Sequence, residues 1–353
     1  MAEAFRGSPL HTTLYHPAGT FPEFSKLDVR TSSLNNVAIF RSRHRLSMPL
    51  LARTISRMRV EADVLLTSSS GWAHGLQTNG RKVVYCHTPA RWLYQREHYL
   101  GLNGRSRLSD RLRRTPAMAA LGLLSAALRA WDRRAALTAH RYLANSSVTR
   151  DAIQAVYGIQ AEVVPPPPAL LPDGPEKAVR DIDPGFVLCV ARLLPYKNVD
   201  LVIDAVKQVP GMRLVVVGAG PEYSRLTALI DKNSRIRLLG RVGDTELRWL
   251  YRHCGALVAA SYEDYGLSPL EAAAFGRPSI VLRAGGYLDT VVDGKTGVFF
   301  DHPNVEEIAQ ALDSARRRDW LSDVLRAHSA IFSVDRFQSR LREIVSEERN
   351  RSV

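Results

Sequence analysis

Between Phe186 and Arg318 short apolar runs alternate with segments of helical spacing, and this alternation restricts the fold more than any other feature of the chain. FVLCVA (Phe186–Ala191), RLVVVG (Arg213–Gly218), IRLLG (Ile236–Gly240), ALVAAS (Ala256–Ser261), SIVLR (Ser279–Arg283) and GVFFD (Gly297–Asp301) read as strands. VDLVIDAVKQV, EYSRLTALI, DTELRWLYRHC and VEEIAQALDSARRR read as the helices between and after them, with Asp244 or Thr245 capping the third. Strands too apolar to face water, each separated by a helix, imply a parallel α/β sheet covered on both faces. Such sheets bind ligands beyond the carboxyl ends of their strands. Arg192, Gly218, Glu263 and the loop after Arg283 all fall at those ends.

The first half repeats the pattern less clearly. VEADVLLTSSS (Val60–Ser70), RKVVYCHTP (Arg81–Pro89) and RYLANSS (Arg141–Ser147) read as strands ending in polar loops, and VTRDAIQAVYG as a helix. EVVPPPPALLPDGPEKAVRDIDPG carries four consecutive prolines, which favour a stiff extended connection. The expected organisation is a first α/β domain over 1–164, a proline-rich linker over 165–185, a second α/β domain over 186–330 and a charged C-terminal helix over 331–353.

Charge divides the chain. Residues 1–170 hold 23 Lys and Arg against 10 Asp and Glu, which accounts for the whole net charge of +13. Residues 171–353 hold 25 of each. A one-sided basic half suits an anionic partner. Its reader motifs for nucleic acid are missing, so a membrane surface or phosphorylated lipid is the better expectation. The basic stretch Gly104–Arg141, with Leu121, Leu123, Leu124 and Leu128 among its arginines, is where such contact is expected. Three scattered cysteines, Cys86, Cys189 and Cys254, give no disulfide framework or zinc spacing. With no signal-peptide core in MAEAFRGSPLHTT, the expectation is a cytoplasmic protein with peripheral contact on the inner face of the cell membrane.

The stretch SYEDYGLSPLEAAAFGRPS places Glu263 and Glu271 eight residues apart with Gly266 and Pro269 between them. A loop over Glu263–Ser268 followed by a helix with Pro269 in its first turn, running to about Phe275, satisfies both breakers. The backbone N–H groups of Gly266, Leu267 and Ser268 then stand at a positive helix end able to receive an anion.

These residues resemble the family 4 retaining glycosyltransferases of the GT-B fold, two Rossmann-like domains facing across a cleft. The resemblance rests on E-x7-E (Glu263, Glu271), on Arg192 and Lys197 in VARLLPYKN, on the glycine turn VVGAGPEYSRL with Gly218, on His87 in YCHTP and on LANSSVTRDAIQAVYG, and extends from about residue 60 to about residue 300. It implies a nucleotide-sugar donor, with a GDP- or UDP-hexose expected, and no other cofactor. Arg192 and Lys197 would stabilise charge developing on the departing diphosphate, aided by the N–H groups near Gly266, Leu267 and Ser268. Gly218 would belong to the donor site. Glu271 would accept the ribose hydroxyls, Glu263 would hold the donor sugar, and His87 would bond sugar or phosphate near the acceptor. A carboxylate at Glu263 also admits a nucleophile with a covalent glycosyl intermediate. Front-face substitution with Glu263 as a positioning group is the favoured expectation. No acidic pair of the DxD type lies in a suitable loop, so no metal is expected. The acceptor expected is a glycolipid or lipid-linked saccharide in envelope polysaccharide assembly, and CHTPARWLY points toward mannosyl transfer. His74 is expected to be structural and Cys189 to be core packing.

The first domain departs from that pattern. A Rossmann-like domain opens with a buried strand, a glycine-rich loop and a helix. MAEAFRGSPLHTTLY reads instead as the end of a first helix followed by a second strand. The expectation is therefore an N-terminally truncated first domain, which keeps a donor-binding protein of impaired activity among the alternatives. A sugar-nucleotide epimerase is another. An NAD-dependent dehydrogenase is disfavoured because GAGP does not complete G-x-G-x-x-G.

Overall fold

A computed structural model describes residues 1–94, 125–230 and 235–351. Most of the arginine- and leucine-bearing stretch expected to touch a membrane, 104–124, thus lies outside the described residues. The chain forms two compact units: 1–145, 149–164 and 337–353 make the first, and 146–148 with 165–336 the second.

In the first unit, β1 (Leu10–Thr12) pairs in parallel with β2 (Val29–Thr31), and β3 (Arg59–Val60) with β5 (Gln77–Thr78). The main sheet has β4 (Val64–Ser69), β6 (Arg81–Cys86), β7 (Arg141–Ala144) and β8 (Ala161–Val163) side by side in that order, all parallel. The period of two along β6 divides its side chains between two cores. Val84 and Cys86 pack with Tyr142, Ala144, Ile153 and Tyr157 on one face. Val83 and Tyr85 pack on the other with Leu143, Phe337, Leu341 and Ile344. The last three come from the helix Val334–Asn350, so the end of the chain supplies one wall of this unit. Ion pairs fix its register: Arg81 Nε to Glu348 at 2.6 Å, and Arg141 to both Glu162 and Glu347 at 2.6 Å.

The second unit matches the pattern read from its apolar runs. Its strands are β9 (Val187–Val190), β10 (Leu214–Val217), β11 (Ile236–Gly240), β12 (Ala256–Ala259), β13 (Ser279–Leu282) and β14 (Gly297–Phe300). The sheet is parallel throughout, in the order β11-β10-β9-β12-β13-β14. The progression therefore runs outward from β9 to one edge, then resumes at β12 and runs to the other. The point of reversal lies between β9 and β12, and a doubly wound sheet opens its ligand crevice there. Pairing makes the opening visible. β9 matches β10 along all of Val187–Val190 but matches β12 only at Val187 and Leu188. Segment 165–185 forms no helix or strand and lies along this unit. Among the described residues no helix is long and apolar enough to cross a membrane.

Candidate functional site

The segments leaving β9 and β12 line the crevice. After β9 the chain continues extended, Ala191 N–H donating to the Val217 carbonyl and Leu193 N–H to that of Ala219. It turns through the short helix Pro195–Lys197 into Asn198, whose φ of 54° starts the helix Val199–Gln208. The Asn198 side-chain amide donates to the Ala260 carbonyl at 2.8 Å, tying this turn to the end of β12. Lys197 is carried toward the crevice by this turn and forms an ion pair with Glu263. Ser261 Oγ donates to the same carboxylate oxygen at 2.5 Å. Tyr287, fully buried beneath, brings its hydroxyl within 3.5 Å of Ser261. Burial, with the Glu263 charge nearby, raises the Tyr287 pKa well above its usual value, so the hydroxyl stays protonated. Arg192 stands exposed at the same strand end, and among the described residues its guanidinium has no ion-pair or hydrogen-bond partner.

The Glu263 loop leads to the helix Leu267–Ala274, which starts two residues earlier than the breakers suggested, with Pro269 in its first turn. Gly266 caps it at φ 82°, where an L side chain is strained and a Cβ would come within 2.5 Å of the Tyr287 ring. Glycine offers no side chain to accept the first N–H groups, so those of Leu267 and Ser268 have no side-chain cap. The loop is pinned from below by Gly286 N–H, which donates to the Glu263 carbonyl at 2.8 Å.

Glu271 lies one turn farther along and is buried. Its Oε2 accepts from the Tyr251 hydroxyl at 2.7 Å, and Oε1 from Leu170 N–H at 3.3 Å, with Ala169 N–H also donating. Burial raises the carboxyl pKa, and these three donors oppose the rise. A carboxylate has about four lone-pair sites, so room remains for about one more donor. Gly218 sits where β10 ends, at φ 145°. Its N–H is committed to the Gly240 carbonyl at 2.8 Å, and a Cβ would stand 1.8 Å from the Ala191 carbonyl. Its local role is thus close backbone approach to the strand extension that carries Arg192.

His87 belongs to the first unit, at the carboxyl end of β6. Its Nε2 lies 2.8 Å from Ser68 Oγ, and Thr149 Oγ1 donates to its carbonyl at 3.2 Å. Burial lowers its pKa, which favours a neutral ring near pH 7. His74 is buried in the same unit. Its ring nitrogens lie 3.0 Å from Ser69 Oγ and 3.0 Å from Asp132, while Asp132 also accepts from the Tyr94 and Tyr157 hydroxyls, each at 2.8 Å. Closed off from solvent, this chain of polar groups braces the fold.

Of the residues read from the sequence, Lys197 and Glu263 are in contact, and Arg192, Gly266, Leu267 and Ser268 share the crevice end of the second sheet. Asn198, Ser261, Tyr251 and Tyr287 were not foreseen. Asn198 had a signal, an Asn directly before a helical run, and Ser261 stands two residues before Glu263. Tyr251 and Tyr287 had none, since their partners lie 20 or more residues away. Chemically, two cations and a helix N-terminus at one crevice suit an anion such as a diphosphate, and a carboxylate beside them suits hydroxyl donors. Among the described residues no group of three or more His, Cys, Asp or Glu is placed to hold a metal ion.

Known proteins share the fold and part of the sequence. Residues 174–325 match the family described as Glycosyl transferases group 1. An uncharacterized glycosyltransferase of Methanocaldococcus jannaschii is 30% identical over 172 residues, 47% of this chain and 49% of that protein. The D-inositol 3-phosphate glycosyltransferase of Mycobacterium bovis (strain BCG / Pasteur 1173P2) is 32% identical over 168 residues, 43% of this chain and 35% of that protein. The chain spans about half the length, or less, of the curated relatives it matches. Among solved structures, Anabaena HepE in complex with UDP superposes with a TM-score of 0.68 at 17% identity, over 98% of this chain and 94% of that one. The sucrose-phosphate synthase of Thermosynechococcus elongatus gives 0.66 at 17% identity, over 96% and 88%. The chain therefore has the GT-B fold, and residues 174–325 of its second unit are similar to the glycosyl transferases group 1 family.

Proposed function

We propose that this chain is a retaining glycosyltransferase that moves a hexose from a UDP- or GDP-sugar to a glycolipid or lipid-linked saccharide. The observation that carries the reading is the meeting of Lys197 with Glu263 at the reversal point of the second sheet, beside exposed Arg192 and the uncapped helix at Gly266. The diphosphate of a sugar nucleotide fits there. The relatives add support: several are glycosyltransferases by name, and the HepE structure was obtained with UDP.

In this reading the bond between the anomeric carbon and the diphosphate oxygen breaks, and the nucleoside diphosphate leaves with the electron pair. Arg192, Lys197 and the N–H groups of Leu267 and Ser268 stabilise that charge, so the positive charge is supplied by protein groups. The acceptor hydroxyl attacks from the face the leaving group vacates, and its proton passes to the departing phosphate oxygen. Configuration is retained. Glu263 holds sugar hydroxyls, and its ion pair with Lys197 orients it. Glu271 has room for about one ribose hydroxyl beside its three protein donors. His87, neutral, offers a hydrogen bond on the acceptor side. The basic first half meets the anionic membrane in which such acceptors reside.

The test is turnover of a panel of UDP- and GDP-hexoses with a bacterial lipid extract, the product's anomeric configuration being read by NMR. Retention from one nucleotide class supports the proposal. Inversion removes the front-face mechanism, and donor binding without transfer leaves a binding protein in place of an enzyme.

A further inference from the structure

Among the described residues of the first unit, the most one-sided interval of charge lies between Asp28 and Glu61. Seven arginines and no acidic residue occur in that interval. Val37 and Ile39 are 42% and 48% exposed, and Leu46 and Leu50 are 52% and 44% exposed. Large aliphatic side chains usually leave water, so four within fourteen residues mark a stretch of chain that folding leaves uncovered. The helix Met48–Arg57 explains the geometry. Ile55 turns inward to the cluster of Val60, Leu65 and Leu76, and Trp131 Nε1 donates to Ser56 Oγ at 2.8 Å, which seats the helix. Leu50, Arg53 and Arg57, at positions i, i+3 and i+7, share the opposite face and are exposed. Arg43, Arg53, Arg57 and Arg59 are exposed, and none has an acidic partner among the described residues. Elsewhere in the unit arginines such as Arg81 and Arg141 are tied into ion pairs.

We propose that the surface formed by residues 37–57 docks on an anionic lipid membrane, with Val37, Ile39, Leu46 and Leu50 entering the interface and Arg43, Arg53 and Arg57 meeting headgroup phosphates. Charge complementarity selects an anionic partner. The exposed aliphatic residues between the arginines select lipid over nucleic acid, whose backbone offers them nothing to bury against. This gives the membrane contact of the proposed function a defined surface and rests on that reading only for its purpose, because lipid binding is measured without any sugar nucleotide.

The experiment is co-sedimentation of the full chain with phosphatidylcholine vesicles, with and without about one quarter phosphatidylglycerol. The expected result is binding to the anionic vesicles only. Arg43→Gln, Arg53→Gln and Arg57→Gln should each weaken it about fivefold. Ile39→Asp with Leu50→Asp should weaken it at least as much and leave thermal unfolding unchanged, since both positions are exposed. Equal sedimentation with neutral vesicles, no sedimentation with either, or vesicle binding untouched by these variants would overturn the proposal. So would binding to a single-stranded oligonucleotide, lost in the arginine variants, without vesicle binding. A chain that binds vesicles but no nucleotide would defeat the proposed function alone. One that binds UDP or GDP but no vesicles would defeat this inference alone.

Discussion

β6 in the first unit and β9 in the second are both buried parallel strands that end in a candidate functional residue, yet they sit in different topologies. β9 stands where the strand order reverses, so its carboxyl end parts from β12 and leaves a crevice lined by Arg192, Lys197 and Glu263. β6 stands within β4-β6-β7-β8, which runs in one direction with no reversal. His87 at its end is held by Ser68 and Thr149. Topology thus opens a crevice in the second unit, which side-chain contacts such as Lys197–Glu263 and Asn198–Ala260 then shape, whereas in the first unit the candidate residue His87 rests on local contacts. The two units also differ in how they are closed. The second is built from a continuous segment apart from 146–148, while the first takes one wall of its core from the last helix of the chain.

The sharpest break of this comparison is Lys197→Ala. It should lower kcat with the cognate donor about 10²-fold or more, because a preorganised positive group at the departing phosphate is lost. Equal losses in kcat and kcat/KM with an unchanged melting temperature would mark a transition-state role. Leu341→Ala comes next. A fully buried leucine of the C-terminal helix should cost about 3 kcal/mol, and hydrogen exchange should rise in β6 and β7 while β9 and β10 stay protected. Uniform loosening of both units would remove the claim that this helix belongs to the first.

A third prediction concerns Lys82, buried on β6 with its ammonium donating to the His74 carbonyl and to Thr138 Oγ1. Burial lowers its pKa to about 8, below the value of about 10.4 expected in the unfolded chain. Between those values the unfolded chain binds the extra proton, so the Lys82 contribution to stability should rise with pH from about 8 to about 9.5, while the Cys189 and Cys254 thiols, kept protonated in the fold by burial, ionise in the unfolded chain and work the other way. That contribution should be on the order of 2 kcal/mol and should appear as the difference between the pH profiles of the protein and of Lys82→Met, as chemical denaturation at a series of pH values would reveal. Above about pH 10 ionisation of tyrosines in the unfolded chain works the other way, since burial raises the pKa of Tyr142 and Tyr157. The smallest effect is Tyr251→Phe. The ring keeps its stacking on Phe275 while Glu271 loses one of three donors, a cost of about 1.5 kcal/mol in the unfolding of the second unit. No change at all would mean that water replaces the hydroxyl.

Legibility in the sequence divides along the same line. All six strands of the second sheet stand where their apolar runs indicated, because buried parallel strands leave a continuous local signal. The Glu263 loop and its helix were equally readable, since Gly266 and Pro269 act through backbone geometry that needs no distant partner. The unreadable features depend on contacts far apart in the chain. The burial of Glu271 against 169–170 and Tyr251, the role of Phe337, Leu341 and Ile344 in closing the first unit, and the partner strand β2 of the opening strand β1 have no local signature. Gly218 shows the limit within a motif. The glycine turn was recognised, but that its N–H is taken by Gly240 and its missing Cβ makes way for Ala191 depends on strands that meet only after folding.

The most direct test of the switch-point site is calorimetric titration of UDP and of GDP into the chain and into Arg192→Ala. The account predicts binding of one nucleotide, weakened about tenfold or more in the variant, as expected when a charged partner of a phosphate is removed without disturbing the fold. Binding of neither nucleotide, or binding that Arg192→Ala leaves unchanged, would contradict it.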